Sequence, residues 1–517
     1  MANGAGSSGP RAGAGAPSRA TLNKRQVLSG LRCHKKLWLE FHHGDDPLLA
    51  PDAESQMRFA EGRMVGEHAR AAMGPGVNLA PGHDIAQHAV VERTREAMAG
   101  GETMLFEAGF TAAGASIRAD ILRRDGDGED TAWTMIEVKS SKWPEKDRDR
   151  EKKFDLHVPD VAVQAWVAGE SRVRVAGAHL MYLNRECRHP DLSNLFTTVE
   201  VTSRVEPMVR ELPAAIGALH AMLREPEAPD VPVGPQCTDP DDCPLYDRCH
   251  DQLPPHHVSE LYYARKQAAK LEAEGKTLIS HLDDADAPNA PAKRQVRAVK
   301  SGKRVVERGL RAALAQLKAP IAYLDFETVQ LAVPRWPGCG PQDMVAVQFS
   351  VHREGFADNT TRQHLAARGG DPRPALIVEL IEACRGAASI VVYYEAFEKS
   401  RIKELAACFP AHERELMSVH DRIVDLLPIV RDHVYDPEFH GSFSLKKVLP
   451  ALVPGLDYGD LVIQEGGSAT AGIYRLLFDD TLDTAAQAVL RRDLLAYCHR
   501  DTEAMVRLVE TLRGMAA

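Results

Sequence analysis

The 517-residue chain has no apolar run approaching the roughly 18 residues that a bilayer-crossing helix needs, so no membrane span is expected. It has no excess of basic charge either. Its 63 Lys and Arg stand against 73 Asp and Glu, for a formal net charge of −10. No whole-molecule field draws it to a polyanion, and any nucleic-acid contact has to come from local patches. Cysteine is sparse and unevenly placed, nine in all, which does not suit a secreted disulfide framework. The chain reads as cytoplasmic, with some cysteines available for a metal. The first 20 residues, MANGAGSSGPRAGAGAPSRA, lack the apolar stretch of a secretory signal and read as a disordered tail. No internal repeat is visible.

What is there suits a globular protein of ordinary composition, 44% hydrophobic and 26% charged. The length calls for two or three domains. Residues 21–255 form a first unit. It opens on LNKRQVLSGLRCHKKLWLEF, an amphipathic helical pattern around Cys33. Helices around Glu61–Met73 and Ile85–Met98 follow, then a β-rich block from Leu105 to Ser141. Residues 256–317 read as a helical, basic connector. SELYYARKQAAKLEAEGKTLISHLDD is expected to be helix, and Lys293–Arg311 holds eight Lys or Arg against the single acid Glu307. That run is either a solvated face or a phosphate contact. Residues 318–517 form a second α/β unit. It begins with the strand IAYLDFETV and ends in the helical segment VLRRDLLAYCHRDTEAMVRLVETL.

Two sets of carboxylates carry the chemistry. In the first unit, strand-like runs flank the turn DGDGED, a hairpin signal. Glu137 and Lys139 are two apart on the second arm and share a face. Asp120 lies on the first arm, within reach of them. Paired carboxylates suit Mg²⁺ or Mn²⁺, and the lysine can orient an attacking water or offset charge on a scissile phosphate. His68, Glu107 and Gln164 lie in order around this set. In the second unit Asp325 and Glu327 share a strand face, where two like charges repel unless a cation lies between them. Glu398 opens a helix after the strand SIVVYY. Tyr497 and Asp501 are four apart on a late helix.

Between these sets lie Cys237, Cys243 and Cys249, with five residues in each interval, and Cys33 is the natural fourth member. Four thiolates suit a [4Fe–4S] cluster. A Cys₄ zinc site is the alternative, although zinc pairs usually come as CxxC.

The order His68, Asp120, Glu137-Val138-Lys139 and Gln164, bracketed by cysteines, resembles the RecB-like branch of the PD-(D/E)XK nucleases. It is closest to the iron–sulfur exonucleases found beside CRISPR systems and in bacterial DNA-end processing. The resemblance implies a restriction-endonuclease-like fold over residues 25–250. His68, Asp120 and Glu137 would bind metal, Lys139 would be catalytic, Gln164 would lie near DNA or support the lysine, and the cluster would tie the ends of the unit together. Ala168 stands where that family often has tyrosine.

Asp325-x-Glu327, Glu398 and Tyr497-x3-Asp501 resemble the DEDD exonucleases. That implies an RNase H-like fold and two-metal chemistry, with Asp325, Glu327, Glu398 and Asp501 as metal ligands and Tyr497 orienting the water. Ala496 stands where the histidine subclass has its histidine, and Glu395-Ala396-Phe397-Glu398 replaces the usual Asn-x-x-Phe-Asp. GSFSLKKVLPAL looks like part of a bacterial uncharacterised family joining both modules. Ser444, Lys446 and Lys447 would touch the phosphate backbone, unless Ser444 is simply a helix cap and the lysines are solvated. His420 and Asp425 read as structural.

The expected architecture is therefore α/β, with a PD-(D/E)XK unit, a helical connector and an RNase H-like unit. The expected function is metal-dependent, exonucleolytic hydrolysis of DNA phosphodiester bonds, with DNA favoured over RNA, by two nuclease modules, in repair, recombination or defence. The alternative is a nucleic-acid-binding protein with one active module and a degenerate C-terminal exonuclease fold.

Overall fold

Residues 132–142 form a strand whose first six residues are buried, the mark of a central strand covered on both faces. It is β5 in the first of two units. The computed structural model describes residues 21–82, 85–126, 131–250 and 253–517. The segment read as a tail, and most of the DGDGED turn, lie outside the described residues. The chain is mixed α/β and divides into one unit of residues 1–50, 62–185 and 193–249 and another of residues 51–61, 186–192 and 250–517. No helix among the described residues is long and apolar enough to cross a membrane.

The first unit contains α1 (Lys24–Arg32), α2 (His34–His42), the C-terminal part of α3 (Ala53–Met73), α4 (Gln87–Ala99), α5 (Asp147–Glu170), α6 (Thr202–Met222) and α7 (Tyr246–His250). Its sheet runs in the order β2-β3-β4-β5-β6-β7, with β1 added beside β4. The strands are β1 (Leu22–Asn23), β2 (Val77–Asn78), β3 (Met104–Ala112), β4 (Ala115–Asp125), β5 (Ala132–Lys142), β6 (Val175–Leu183) and β7 (Phe196–Glu200). β3, β4 and β5 form an antiparallel meander; α5 then crosses over and the chain returns as β6, parallel to β5. The hairpin read from the sequence is thus the β4–β5 pair. The helical pattern around Cys33 is not one helix. Cys33 is extended (φ −157°, ψ 114°) and ends α1 while its thiol accepts from the Lys36 amide at the start of α2.

The second unit contains α8 (Arg265–Ala273), α9 (Ala290–Ser301), α10 (Leu310–Leu314), α11 (Arg373–Ala383), α12 (Glu395–Cys408), α13 (Glu413–His420), α14 (Leu426–His433), α15 (Leu445–Leu452), α16 (Gly466–Phe478) and α17 (Thr484–Ala516). A short ribbon pairs β8 (Val305–Val306) with β14 (Val434–Tyr435). The main sheet, in the order β11-β10-β9-β12-β13, comprises β9 (Ile321–Gln330), β10 (Met344–Glu354), β11 (Arg362–Leu365), β12 (Ser389–Val392) and β13 (Ile423–Asp425). β9 is antiparallel to β10 and parallel to β12.

Alternation along β9 decides where its acids go. Ala322, Leu324 and Phe326 pack with Leu376 and Ile377 of α11, whereas Tyr323 and Val329 pack with Leu494, Met505 and Leu508 of α17. Asp325 and Glu327 hold odd positions and so face α17. The long helix expected from Ser259 to Asp284 is α8 alone. Tyr263 (φ 47°) precedes it and Gly275 (φ 79°) follows it, both in left-handed conformations that a helix cannot continue through.

Candidate functional site

Asp120 lies on β4, one residue before Ile121, whose partner on β5 is Ile136. Its Oδ2 accepts from the Val138 amide at 2.7 Å, which fixes the carboxylate beside Glu137. α5 supplies the rest. Gln164, fully buried, donates to Glu137 Oε2 at 2.6 Å and to Asp160 Oδ1 at 3.2 Å. Lys139 Nζ donates to Glu137 Oε1 at 2.8 Å and also to Asp160. A second ammonium, Lys24 at the start of α1, lies 3.1 Å from Glu137 Oε1 and 2.9 Å from Asp160 Oδ1.

Electrostatics follow from this pairing. Burial alone would lift the Asp160 pKa, but Lys24 and Lys139 outweigh it and hold the carboxyl well below its usual range. Burial would likewise lower the Lys24 and Lys139 ammoniums, and the carboxylates around them raise them instead. Asp120 is pushed up, by burial first and then by the Glu137 charge, against the pull of Lys24. Glu107, on β3 in a left-handed conformation (φ 57°), belongs to the same field and pairs with Arg70 at 3.5 Å.

The structure therefore joins Asp120, Glu137 and Lys139. It does not bring ligand atoms of His68, Asp120 and Glu137 within 4.8 Å of one another. Of the two roles expected for Gln164, beside DNA or in support of the lysine, its buried place beneath the carboxylates, bonded to Glu137 and to Asp160, the partner of Lys139, agrees with the second. Sequence reading missed Lys24 and Asp160. Asp160 stands four residues before Gln164 on one helical face, a spacing that was there to be read. Nothing in the sequence ties Lys24 to residues more than a hundred positions away.

In the second unit, Asp325, Glu327 and Asp501 each bring an oxygen within 4.8 Å of the others. No lysine or arginine is salt-bridged to these three among the described residues; their partners are weaker. Tyr458 Oη donates to Asp501 Oδ1 at 2.5 Å, the Tyr497 hydroxyl lowers the Asp501 pKa, and the Cys498 thiol lies 3.5 Å from Asp325 Oδ2. Lys446 reaches across the Tyr458 and Tyr497 rings, 5.4 and 5.2 Å from their centroids, and its charge acts on Glu327 and Asp501. Glu398 is buried on α12 with Oε2 unpartnered, and its charge is felt by Asp325 and Glu327. Burial, then the neighbouring acids, drive the carboxyls upward. Glu327 reaches about 8 and Asp325 lies well above its ordinary value. Glu398 also reaches about 8, through burial and the Asp425 charge, and Asp501 reaches about 6 through burial. Buried like charges without cationic partners are a ready-made seat for a divalent ion.

Tyr497 and Asp501 interrupt the apolar stripe of α17 as their four-residue spacing requires. Ser444 is the N-cap residue of α15 but makes no side-chain cap bond, and Lys447 is exposed. Lys446 donates to the Gln464 carbonyl at 2.5 Å and lies 3.7 Å from Glu465, with its charge felt at Glu327 and Asp501. Asp425 accepts from the Tyr394, Glu395 and Leu427 amides, while His420 bonds Asp421. The basic run at Lys293–Arg311 is largely spent internally. Arg294 is buried against the Arg431 and Asp432 carbonyls, and Arg297, Lys300 and Arg304 pair with Glu307, Asp283 and Asp436. Arg311 bonds the carbonyls of Ala516 and Ala517. It is an intramolecular seam of the second unit more than a phosphate track.

Cys33, Cys237, Cys243 and Cys249 are half-buried free thiols. Arg32, next to Cys33, donates to the carbonyls of Gln236 and Asp241, which draws the cysteine loop to the end of α1. No three of these sulfurs lie within 4.8 Å of one another. Tetrahedral zinc, with bonds of about 2.3 Å, needs thiolates closer than that. If these thiols hold the expected [4Fe–4S] cluster, Cys243→Ser should bleach a brown, anaerobically prepared protein. It should also destabilise the first unit by up to about 5 kcal/mol, the scale of cross-linking so long a loop. Absorption spectra and thermal melts check this; a colourless zinc protein would remove the cluster from consideration.

Residues 322–444 are similar to a domain of unknown function, DUF2779. That stretch contains Asp325, Glu327 and Glu398 and ends before Lys446, Tyr497 and Asp501. The chain is also similar to two curated proteins. "Uncharacterized protein UU173" of Ureaplasma parvum is 24% identical over 216 residues, covering 37% of this chain and 31% of that protein. "Uncharacterized protein MG366 homolog" of Mycoplasma pneumoniae is 25% identical over 213 residues, covering 37% and 32%. The chain thus spans about a third of the length of the curated relatives it matches.

Proposed function

We propose that the chain is a metal-dependent nuclease whose better-formed catalytic centre is the Asp325–Glu327–Asp501 group. The observation that carries this reading is the convergence of those three carboxylates, Asp501 buried and Asp325 and Glu327 half-buried, with Glu398 close by and no ammonium or guanidinium salt-bridged to them. Asp325, Glu327, Glu398 and Asp501 would hold Mg²⁺ or Mn²⁺, which when bound polarises a phosphodiester and lowers the pKa of a water. Tyr497, four residues before Asp501 on α17 and beside the Tyr458 ring, would orient such a water. Lys446 adds positive charge where a phosphate would gather negative charge. An antiparallel meander extended by two parallel strands, with helices on both faces, agrees with the RNase H-like reading. In the first unit, the β3–β4–β5 meander, the α5 crossover and the placing of Asp120 and Glu137-x-Lys139 agree with the PD-(D/E)XK reading.

A second reading keeps one active module, and one observation favours it. Lys24 and Lys139 already neutralise Glu137 and Asp160. A metal entering that site must displace an ammonium from Glu137, so the quieter module is the N-terminal one and not the C-terminal one expected from the altered second motif. Labelled single- and double-stranded DNA and RNA, incubated with Mg²⁺ or Mn²⁺, test both readings. Cleavage that EDTA stops is expected, with Lys139→Ala retaining most of it under the second reading and losing a separable part of it under the first. No cleavage of any of the four substrates would overturn both.

A further inference from the structure

His256, Glu260 and His440, all in the second unit, each bring one ligand atom within 4.8 Å of the others. None belongs to the carboxylate sites described above. Glu260 Oε2 lies 3.1 Å from His440 Nδ1 and 3.8 Å from His256 Nδ1. The two imidazoles stack, with centroids 5.1 Å apart and planes 11° apart.

Three features set this group apart from a surface ion pair. His256 Nδ1 is buried and has no hydrogen-bond partner, an expensive state for a polar atom that metal ligation would relieve. Both histidines hold left-handed backbones, φ 56° and 46°, uncommon for residues other than glycine although histidine is among those that reach them most readily, and such conformations persist where the surroundings over-determine them. The backbone beneath them is also fixed. Gln295, fully buried, donates to the Glu260 carbonyl at 2.9 Å and accepts from the Tyr262 amide at 2.9 Å. The Gly441 amide donates to Tyr435 Oη at 2.9 Å. A Cβ on Gly441 would fall 1.8 Å from the Glu260 carbonyl oxygen, so only glycine lets the two turns approach this closely.

We infer that His256, Glu260 and His440 form a site for a zinc-class divalent cation that ties the 256–260 turn to the turn at 440. Two imidazole nitrogens and one carboxylate oxygen are donors that zinc accepts, whereas Mg²⁺ and Ca²⁺ favour oxygen-only sets. Three protein ligands leave a coordination position, and the half-exposed His440 ring marks the side open to water. His440 immediately precedes the GSFSLKK segment, so the ion would steady the stretch of chain that carries Lys446. The site stands whether or not the chain is a nuclease.

The test uses the full chain, stripped with chelator, dialysed against micromolar Zn²⁺ and assayed for bound zinc by atomic spectrometry. Wild type is expected to hold one equivalent more than His256→Ala or His440→Ala, with circular dichroism showing both variants folded. Equal zinc in wild type and both folded variants overturns the inference. Should the variants not fold, ¹⁵N-imidazole spectra of wild type during Zn²⁺ addition decide it. A paired shift of two histidines, complete at one added equivalent at this site, supports the site. Unchanged signals from His256 and His440, assigned through the conservative variants His256→Gln and His440→Gln, overturn it.

Discussion

Asp325→Asn should lower metal-dependent cleavage by roughly 10³-fold while leaving the fold intact, because a cation contributes several kcal/mol to a phosphoryl transition state and this residue lies at the centre of its seat. Asp325 faces α17 from the middle of β9, with Asp501 and Glu327 as its nearest charges and Glu398 beyond them. The amide keeps the shape and removes the charge that a metal needs. It also removes a charge that the metal-free protein is better without, so the melting temperature in chelator should hold steady or rise. That pairing, activity lost and stability kept, separates a metal ligand from a structural acid, whose removal costs stability. Rates measured beside melts check it. Activity within ten-fold of wild type in Asp325→Asn, together with its loss in Lys139→Ala, would move catalysis to the first unit.

The legible and illegible parts of the two sites differ for physical reasons. Asp325 with Glu327, Glu137 with Lys139, and Tyr497 with Asp501 were visible because strand and helix periods turn short spacings into shared faces. Asp160 was legible by the same rule and went unread. Lys24 and Tyr458 answer to no local period. They reach their partners through the fold, Tyr458 from 43 positions before Asp501. The two lysines of GSFSLKK are adjacent, and one-residue steps along a helix point to different faces, so their opposite fates rest on the packing of α15. The basic run misled because its counter-charges, Asp283, Asp436 and the carbonyls at 431–432, are remote in sequence or are not charges at all. At Cys33 the helical periodicity continues through the residue, and what breaks the helix is the thiol's role as a cap between α1 and α2.

In chelator, the melting temperature should fall as pH rises through the neutral range, and Mg²⁺ or Mn²⁺ should restore it. Glu327 and Glu398 are lifted from an ordinary 4.5 to about 8, burial being the largest cause for each. The folded chain keeps these protons up to that pH, whereas the unfolded chain gives them up near the ordinary value. Below the ordinary value both states are protonated and the stabilising contribution is fully present. Between the two values the folded state binds more protons, so stability drops with rising pH, until the contribution is lost above about 8. Each group contributes about 1.4 kcal/mol per pH unit, or about 3–5 °C per unit for a unit of this size. A bound divalent ion replaces the protons, so the metal-induced rise in melting temperature should grow over the same interval and metal binding should release protons. Glu327→Gln should flatten the chelator slope by about one proton's worth, melt a few degrees higher than wild type near pH 8 without metal, and respond weakly to metal. Melts across pH with EDTA, Mg²⁺ and Mn²⁺ measure all three. A chelator curve that is level or rises over this range would mean that these carboxyls are already compensated within the protein, and the charge argument for a metal seat between β9 and α17 would fail with it.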